Sequence, residues 1–423
     1  MGTRARNPDF SSQSRPRLEP PSSRSEDERE IAESTVAEST VRDFSIVLGG
    51  PLYDFLLRHG IVHVGLPNIL RRIVALVTLT WLPLLLFSLG GDLAFGSRVR
   101  MPFLHDFAVN AQFLVGLPLL LLAEIVIDPA IRQALAEFVE ARLVRDQELP
   151  AFVSILTEIR RWRNSWIPET IILILAFFPV FLFQRGWATG AVSSWHTVDA
   201  GLTPAGWWFA ALSTPLFRFV VYRWTFRYFI WGALLWRINH LNLSLIPTHP
   251  DHAAGLNFLG LTQKRFGILF CAVGCGFTGQ LANRIAFEGA SISSVKFLIA
   301  GFVVLFLIVG LLPLMLLAPT LSKVRKAGLL EYGRLANSYT ASFHQKWVHT
   351  VTAPTEPLLG TSDIQSLADM GNSFALVDAM TVVPITKRLV LQLAAQTALP
   401  LIPLIVLGTP TPELVHAVMK MLV

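Results

Sequence analysis

The stretch that decides the fold is Lys296–Thr320, "KFLIAGFVVLFLIVGLLPLMLLAPT", in which no charged residue follows Lys296. A helix needs ~20 mainly apolar residues to cross the hydrocarbon core of a bilayer. Backbone polar groups there must be satisfied internally, so a run of this length reads as a membrane-spanning helix over 296–319. Six further runs share its character, at 69–90, 107–128, 167–185, 205–226, 266–287 and 390–408. The expected fold is therefore all-α, a polytopic transmembrane helix bundle of about seven spans. The fourth run continues as "YRWTFRYFIWGALLWRINHL" (Tyr222–Leu241), which predicts a helix extending past the membrane or along its surface. The seventh contains Pro400 and Pro403 and is expected to be broken.

Composition agrees. Hydrophobic residues make up 52% of the 423 and charged residues 15%, with a mean hydropathy of +0.52. Soluble domains carry ~25% charged residues. The net charge of +6 fits basic cytoplasmic loops, and no aromatic-interleaved basic stripe suggests nucleic acid as a partner. The two cysteines, Cys271 and Cys275, are four residues apart on one helix face, where small side chains favour helix packing over a disulfide framework.

Lys and Arg set the orientation. Arg58, Arg71 and Arg72 precede the first span, Arg132 to Arg163 follow the second, and Lys323 to Arg388 follow the sixth, whereas the alternate loops carry few. This places the N-terminus in the cytoplasm. Residues 1–43, rich in Ser, Arg, Glu and Pro, read as a disordered cytoplasmic tail without a signal peptide. Residues 44–68 form an interfacial segment, with Leu52, Phe55, Leu56 and Ile61 along one face of an amphipathic stretch resting on the membrane. The helical domain occupies 69–423 and adds a cytoplasmic helical layer at about 129–165, 320–350 and 361–381. The first of these splits near Pro150. In the last, Ser362 and Gln365 suggest a capping box, and Ile364, Leu367, Phe374, Val377 and Met380 recur at helical spacing.

Two constellations could carry chemistry. Glu124, Asp128, Glu169, Arg218, Arg223 and Arg227 fall at similar depth in the inner half of the membrane. Such residues read either as a charged, water-accessible vestibule or as a structural ion-pair network with snorkelling arginines. The second is "THPDHAAGL" (Thr248–Leu256), with His249, Asp251 and Gly255. His249 and Asp251 are weak metal candidates, since no HExxH helix, CxxC pair or second His/Asp cluster completes a ligand set. One alternative is mechanical, with Pro247 and Pro250 stopping one helix and Asp251 capping the next through backbone N–H bonds, and another is a ligand- or lipid-headgroup-binding role at the interface. No metal or other cofactor is predicted. Gly267, Cys271, Cys275 and Gly279 form a small-xxx-small row suited to close helix packing. Walker, Rossmann and GxSxG patterns are absent, as are mid-span histidines.

Taken together, "LLAEIVID", "YRWTFRYFIWGALLWRI", "LIPTHPDHAAGLNFLG", "GLLEYGRLANSY" and "LLGTSDIQSLADMGNSFALVDAM" resemble an uncharacterised family of bacterial multi-pass inner-membrane proteins. The resemblance covers roughly 45–423 and implies the bacterial inner membrane but no activity. In the family pattern a glycine stands where this chain has Ala254, and the position of His252 is variable, which leaves His249, Asp251 and Gly255 as its motif residues.

Three functions follow as expectations. The first is passage or sensing of an ion or small solute through the charged vestibule. The second is a membrane-embedded, metal-dependent hydrolase at the cytoplasmic interface. The third is a scaffold docking a cytoplasmic protein. Expected partners are the lipid bilayer, with a second copy of the chain or a cytoplasmic protein as further candidates.

Overall fold

The computed structural model describes residues 39–41, 43–51, 66–95, 98–183, 193–198, 201–349 and 362–404. The tail before 39, the surface-helix residues Leu52, Phe55, Leu56 and Ile61, and the last four residues of the seventh expected span lie outside them.

The described chain is almost wholly helical. In order, the helices are α1 Leu66–Gly90, α2 Phe107–Glu140, α3 Leu149–Asn164, α4 Trp166–Phe183 and α5 Thr214–Ile238. They continue with α6 Phe258–Arg265, α7 Gly267–Glu288, α8 Ile292–Met315, α9 Ala318–Phe343, α10 Ser362–Asp378 and α11 Lys387–Ala398. Four stretches are long and apolar enough to cross a membrane: Ile69–Gly90, Phe107–Glu140, Phe258–Glu288 and Ile292–Met315. This is the mark of a membrane protein.

The other three expected spans do not reach that length and apolarity among the described residues. Helix α4 is apolar along Trp166–Phe183, and the end of its expected span, 184–185, lies outside the described residues. The fourth runs on as predicted, through Pro204–Trp208, a wide turn at Phe209–Ser213 and then α5, but Arg218, Arg223, Arg227 and Arg237 punctuate it. At Leu399–Leu401 the helix of α11 tightens into a 3-10 turn around Pro400, as the paired prolines forecast.

Helix α7 is the centre of the bundle. Of its span, 61% is buried within the chain, against 17% for Ile69–Gly90 and 22% for α8. The small-residue row explains this. A Cβ on Gly279 would sit 2.5 Å from the Ala108 Cα, so only glycine lets α7 and the start of α2 meet backbone to backbone. Inside a bilayer, lipid tails remove most of the hydrophobic drive between helices, and such close contacts supply the cohesion instead.

Polar ties supplement it. Asp106 caps α2, its Oδ1 accepting the N–H groups of Ala108 and Val109 at 3.1 Å each. The same carboxylate accepts Trp195 Nε1 at 2.9 Å and Asn283 Nδ2 at 2.8 Å, which pins α7 and the 193–198 segment to that end.

At the other end of α2 the elements are amphipathic. In α3, Leu149, Phe152, Leu156 and Ile159 are buried at helical spacing, and Pro150 lies in its first turn, where a missing N–H costs nothing. Helices α9 and α10 form a hairpin. Phe374 lies over Gly333, Val377 over Gly328, and Tyr339 Oη donates to the Asp363 carbonyl at 3.0 Å. The apolar stripe of α10 is therefore partly covered by its own chain: Val377 and Met380 are buried, whereas Ile364 remains exposed. Gln365 reaches forward to Asp369 at 3.0 Å instead of forming the expected capping box with Ser362.

The boundary of the tail also moves. Residues 39–41 form a helical turn, and Val41 and Phe44 join the main core. The segment after them, expected on the membrane surface, turns inward: Ile46 is fully buried and Val47 nearly so.

Candidate functional site

The bundle holds two charged regions, and they are built differently. The first gathers most of the expected vestibule. Helix α2 presents Glu124 and Asp128 one turn apart. Glu124 accepts Arg72 Nη1 at 2.6 Å and Arg227 Nη1 at 3.2 Å. Arg223 Nη2 lies 4.0 Å from Glu169 Oε1. Arg132 donates to Asp128 Oδ2 through Nε at 3.0 Å and Nη2 at 2.6 Å. Arg218 stands half-buried more than two turns before Arg227 on α5.

The inward-turning segment 44–50 completes this network. Ser45 Oγ donates to Asp128 Oδ1 at 2.5 Å. The Ser45 carbonyl accepts Arg163, the Val47 carbonyl accepts Arg227 Nη2 at 2.7 Å, and the Gly49 carbonyl accepts Arg223 Nη2 at 3.3 Å. Gly49 and Gly50, with φ of 135° and 103°, adopt conformations that side chains disfavour. A Cβ on Gly50 would lie 2.7 Å from Glu169 Oε1. Arg227 also lies over Trp224, 4.9 Å from the ring centroid. Each acid in this region faces a cation, and backbone carbonyls take up further guanidinium N–H groups. Arg72, Arg163 and Ser45 escaped the sequence reading because nothing local in the chain links them to α2 or α5.

The second region is a groove at the finishing end of α2. Two cavities of about 550 and 750 Å³ share Glu137, Phe258, Leu261 and Lys264 along their walls. Ile125, Pro129, Gln133 and Glu137 recur every four residues, so one face of α2 forms a wall. Helix α6 and the start of α11 form the others. His249, Asp251 and Gly255 line the larger cavity, and none of Glu124, Asp128, Arg223 and Arg227 lines either.

The loop that carries this motif is tightly specified. It does not stop a helix, because α5 ends at Ile238, and it does not cap α6 directly, because Asn257 precedes that helix. Instead Asp251 folds the loop onto itself. Its Oδ1 accepts Ala253 N–H at 2.8 Å and Gly255 N–H at 3.1 Å, and its Oδ2 accepts Asn257 N–H at 3.0 Å. Burial alone would raise the Asp251 pKa. These three backbone donors and His249 outweigh it and hold the carboxyl below its usual range.

His249 Nδ1 lies 2.8 Å from Asp251 Oδ1 and 3.3 Å from the Asp251 backbone N–H. One nitrogen cannot donate to the first and accept from the second. The shorter contact, to an anion, assigns the proton to Nδ1 and leaves Nε2 for other partners. Asp251 thus accepts four bonds, three at Oδ1 and one at Oδ2. Among the described residues no three His, Cys, Asp or Glu side chains converge on one point.

The loop is braced from outside. Thr381 N–H and Oγ1 donate to the His252 carbonyl at 2.8 and 3.0 Å, and Ser244 N–H donates to the Leu143 carbonyl at 2.7 Å. It is also strained. Four described non-glycine residues have positive φ, and three belong here: Arg142 at 52°, His252 at 57° and Ala254 at 54°. Such outliers cost of order 1–3 kcal/mol and gather at ligand-binding sites.

Four basic side chains, Arg142, Lys264, Arg265 and Arg388, line the groove against two acids, Glu137 and Asp251, the latter already hydrogen-bonded by its own loop. None of the four makes an ion pair among the described residues. Sequence reading used basic residues here to orient the chain and missed their convergence, because α2, α6 and α11 are far apart in sequence. Comparison with protein-family models, curated proteins and solved structures finds no match to this chain.

Proposed function

We propose that the protein senses or passes a small anionic solute, and that the groove below His249 and Asp251 receives it. The observation that carries this reading is the unpaired state of Arg142, Lys264, Arg265 and Arg388 around one concavity, beside a Glu124 network whose charges are met by its own chain. Cations without internal partners that share a cleft focus the field on an incoming anion. His249 Nε2 adds a polar group at the same wall. The reading is completed by a seven-span bundle in the bacterial inner membrane, with the groove and the N-terminus on the cytoplasmic side, as the distribution of Lys and Arg favours.

Calorimetric titration of the detergent-solubilised protein with inorganic phosphate and with sn-glycerol 3-phosphate tests it. Saturable binding is expected, weakening with added salt and falling at least tenfold in a Lys264→Ala/Arg388→Ala variant, since each charge-assisted bond contributes about 1.5–3 kcal/mol. Absence of saturable binding of both anions to folded protein refutes the proposal.

A further inference from the structure

Resting on that reading, we infer that the anion is the phosphate of a glycerophospholipid, held by the groove while its acyl chains lie along α2. The phosphate could equally arrive free in water, so the inference depends on what surrounds the cations.

The narrower cavity answers this. Its α2 wall begins at Ile125 and Pro129, inside a stretch long and apolar enough to cross a membrane. Its α6 wall carries Leu261, which is 67% exposed. Ile125 is exposed on the opposite wall. A free anion would leave both apolar side chains uncovered. A diacyl lipid covers them with hydrocarbon while its phosphate reaches Lys264 and Arg265, whose positions on α6 are three and four residues past Leu261.

The two cavities thus form a graded path. Hydrocarbon contacts dominate at Ile125, cations follow at Lys264 and Arg265, and the polar wall of His249 and Arg388 lies at the far side. Basic pockets between membrane helices on the cytoplasmic side bind anionic headgroups through this combination. The second cavity has room beyond the phosphate for a headgroup, where Glu137 and His249 Nε2 can hydrogen-bond hydroxyl groups.

The test uses full-length protein, delipidated in dodecyl maltoside and exposed to phosphatidylglycerol or phosphatidylcholine, with retained lipid counted by native mass spectrometry. Phosphatidylglycerol is expected to be retained at least tenfold over phosphatidylcholine. Lys264→Ala/Arg265→Ala abolishes that preference. Leu261→Ser lowers phosphatidylglycerol retention severalfold and lowers sn-glycerol 3-phosphate affinity far less; Leu261 is exposed, so this variant folds. Equal retention of the two lipids overturns the inference and marks the basic residues as a surface that only orients the chain. If glycerol 3-phosphate binds as tightly as the lipid and Leu261→Ser changes neither, the lipid inference falls and anion sensing stands. If neither lipid nor soluble phosphate binds, both fall.

Discussion

The Glu124 network and the groove are both basic, both touch α2 and lie within four turns of each other, yet only one is closed. Around Glu124 the chain supplies counter-charges from α1, α2, α4 and α5, and carbonyls from residues 45–49. Around Lys264 it supplies backbone strain, an acid engaged by its own loop, and open volume. A buried charge that is paired by its own chain fixes the fold. A cation held at a concave surface without a partner is available to a ligand. The difference teaches that charge in a membrane protein is assigned a role by what faces it, not by its depth.

The comparison breaks most directly at Arg227. Its side chain is 4% exposed and it serves Glu124 and the Val47 carbonyl together. Removing one partner of a buried pair strands the other, and Arg72 only partly compensates for Glu124. Arg227→Ala is therefore expected to cost about 3 kcal/mol and to lower the Tm in detergent by roughly 3 °C or more. Lys264→Ala and Arg388→Ala, which strand nothing, are expected to stay within about 0.5 kcal/mol of wild type while losing phosphate affinity. Comparable losses of stability in all three variants would erase the distinction between the regions.

Asp251 gives an intermediate effect, because it organises the groove without facing the ligand itself. In Asp251→Asn the amide turns an N–H₂ toward a backbone N–H, either at Asn257 or at Ala253. A buried donor left unsatisfied costs about 1–3 kcal/mol. The effect depends on pH with a definite sign. Backbone donors hold the folded Asp251 below its ordinary pKa. Its contribution is thus complete above the unfolded value of about 4 and is lost as pH falls through the lower folded value. The stability gap between wild type and Asp251→Asn, measured by thermal melts at pH 7, 5 and 3, should narrow toward acid. A gap that widens would mean that the carboxylate is opposed, not supported, by its loop.

Much of this was legible in the chain. The apolar runs forecast a helical membrane protein, Pro150 marked the start of α3, and Glu124 and Asp128 were expected to share a face with basic partners nearby. What escaped was long-range. Ser45 meets Asp128 across 83 positions and Arg227 reaches Val47 across 180. No periodicity carries such pairings. The apolar pattern of 46–48 could as well have faced lipid, and only the arginines across the bundle explain why it turns inward. The groove was hidden for the same reason: its walls come from α2, α6 and α11, and each basic residue alone looks like an ordinary loop charge.

The smallest expected effect concerns Ala254, in the same loop as Asp251. Its φ of 54° is a left-handed conformation that costs an L-residue roughly 1–2 kcal/mol. Glycine would relieve that strain. It would also give up a methyl group that is 1% exposed, worth about 0.8 kcal/mol, and add about 0.5–1 kcal/mol of chain entropy lost on folding. These terms nearly cancel, so Ala254→Gly is expected to lie within about 0.5 kcal/mol of wild type in thermal melts and to leave phosphate affinity unchanged. Near-neutrality would show that the strain and packing terms balance at this position. A gain beyond about 1 kcal/mol would show that strain outweighs packing in the loop, and an accompanying fall in affinity would tie that strain to the shape of the groove.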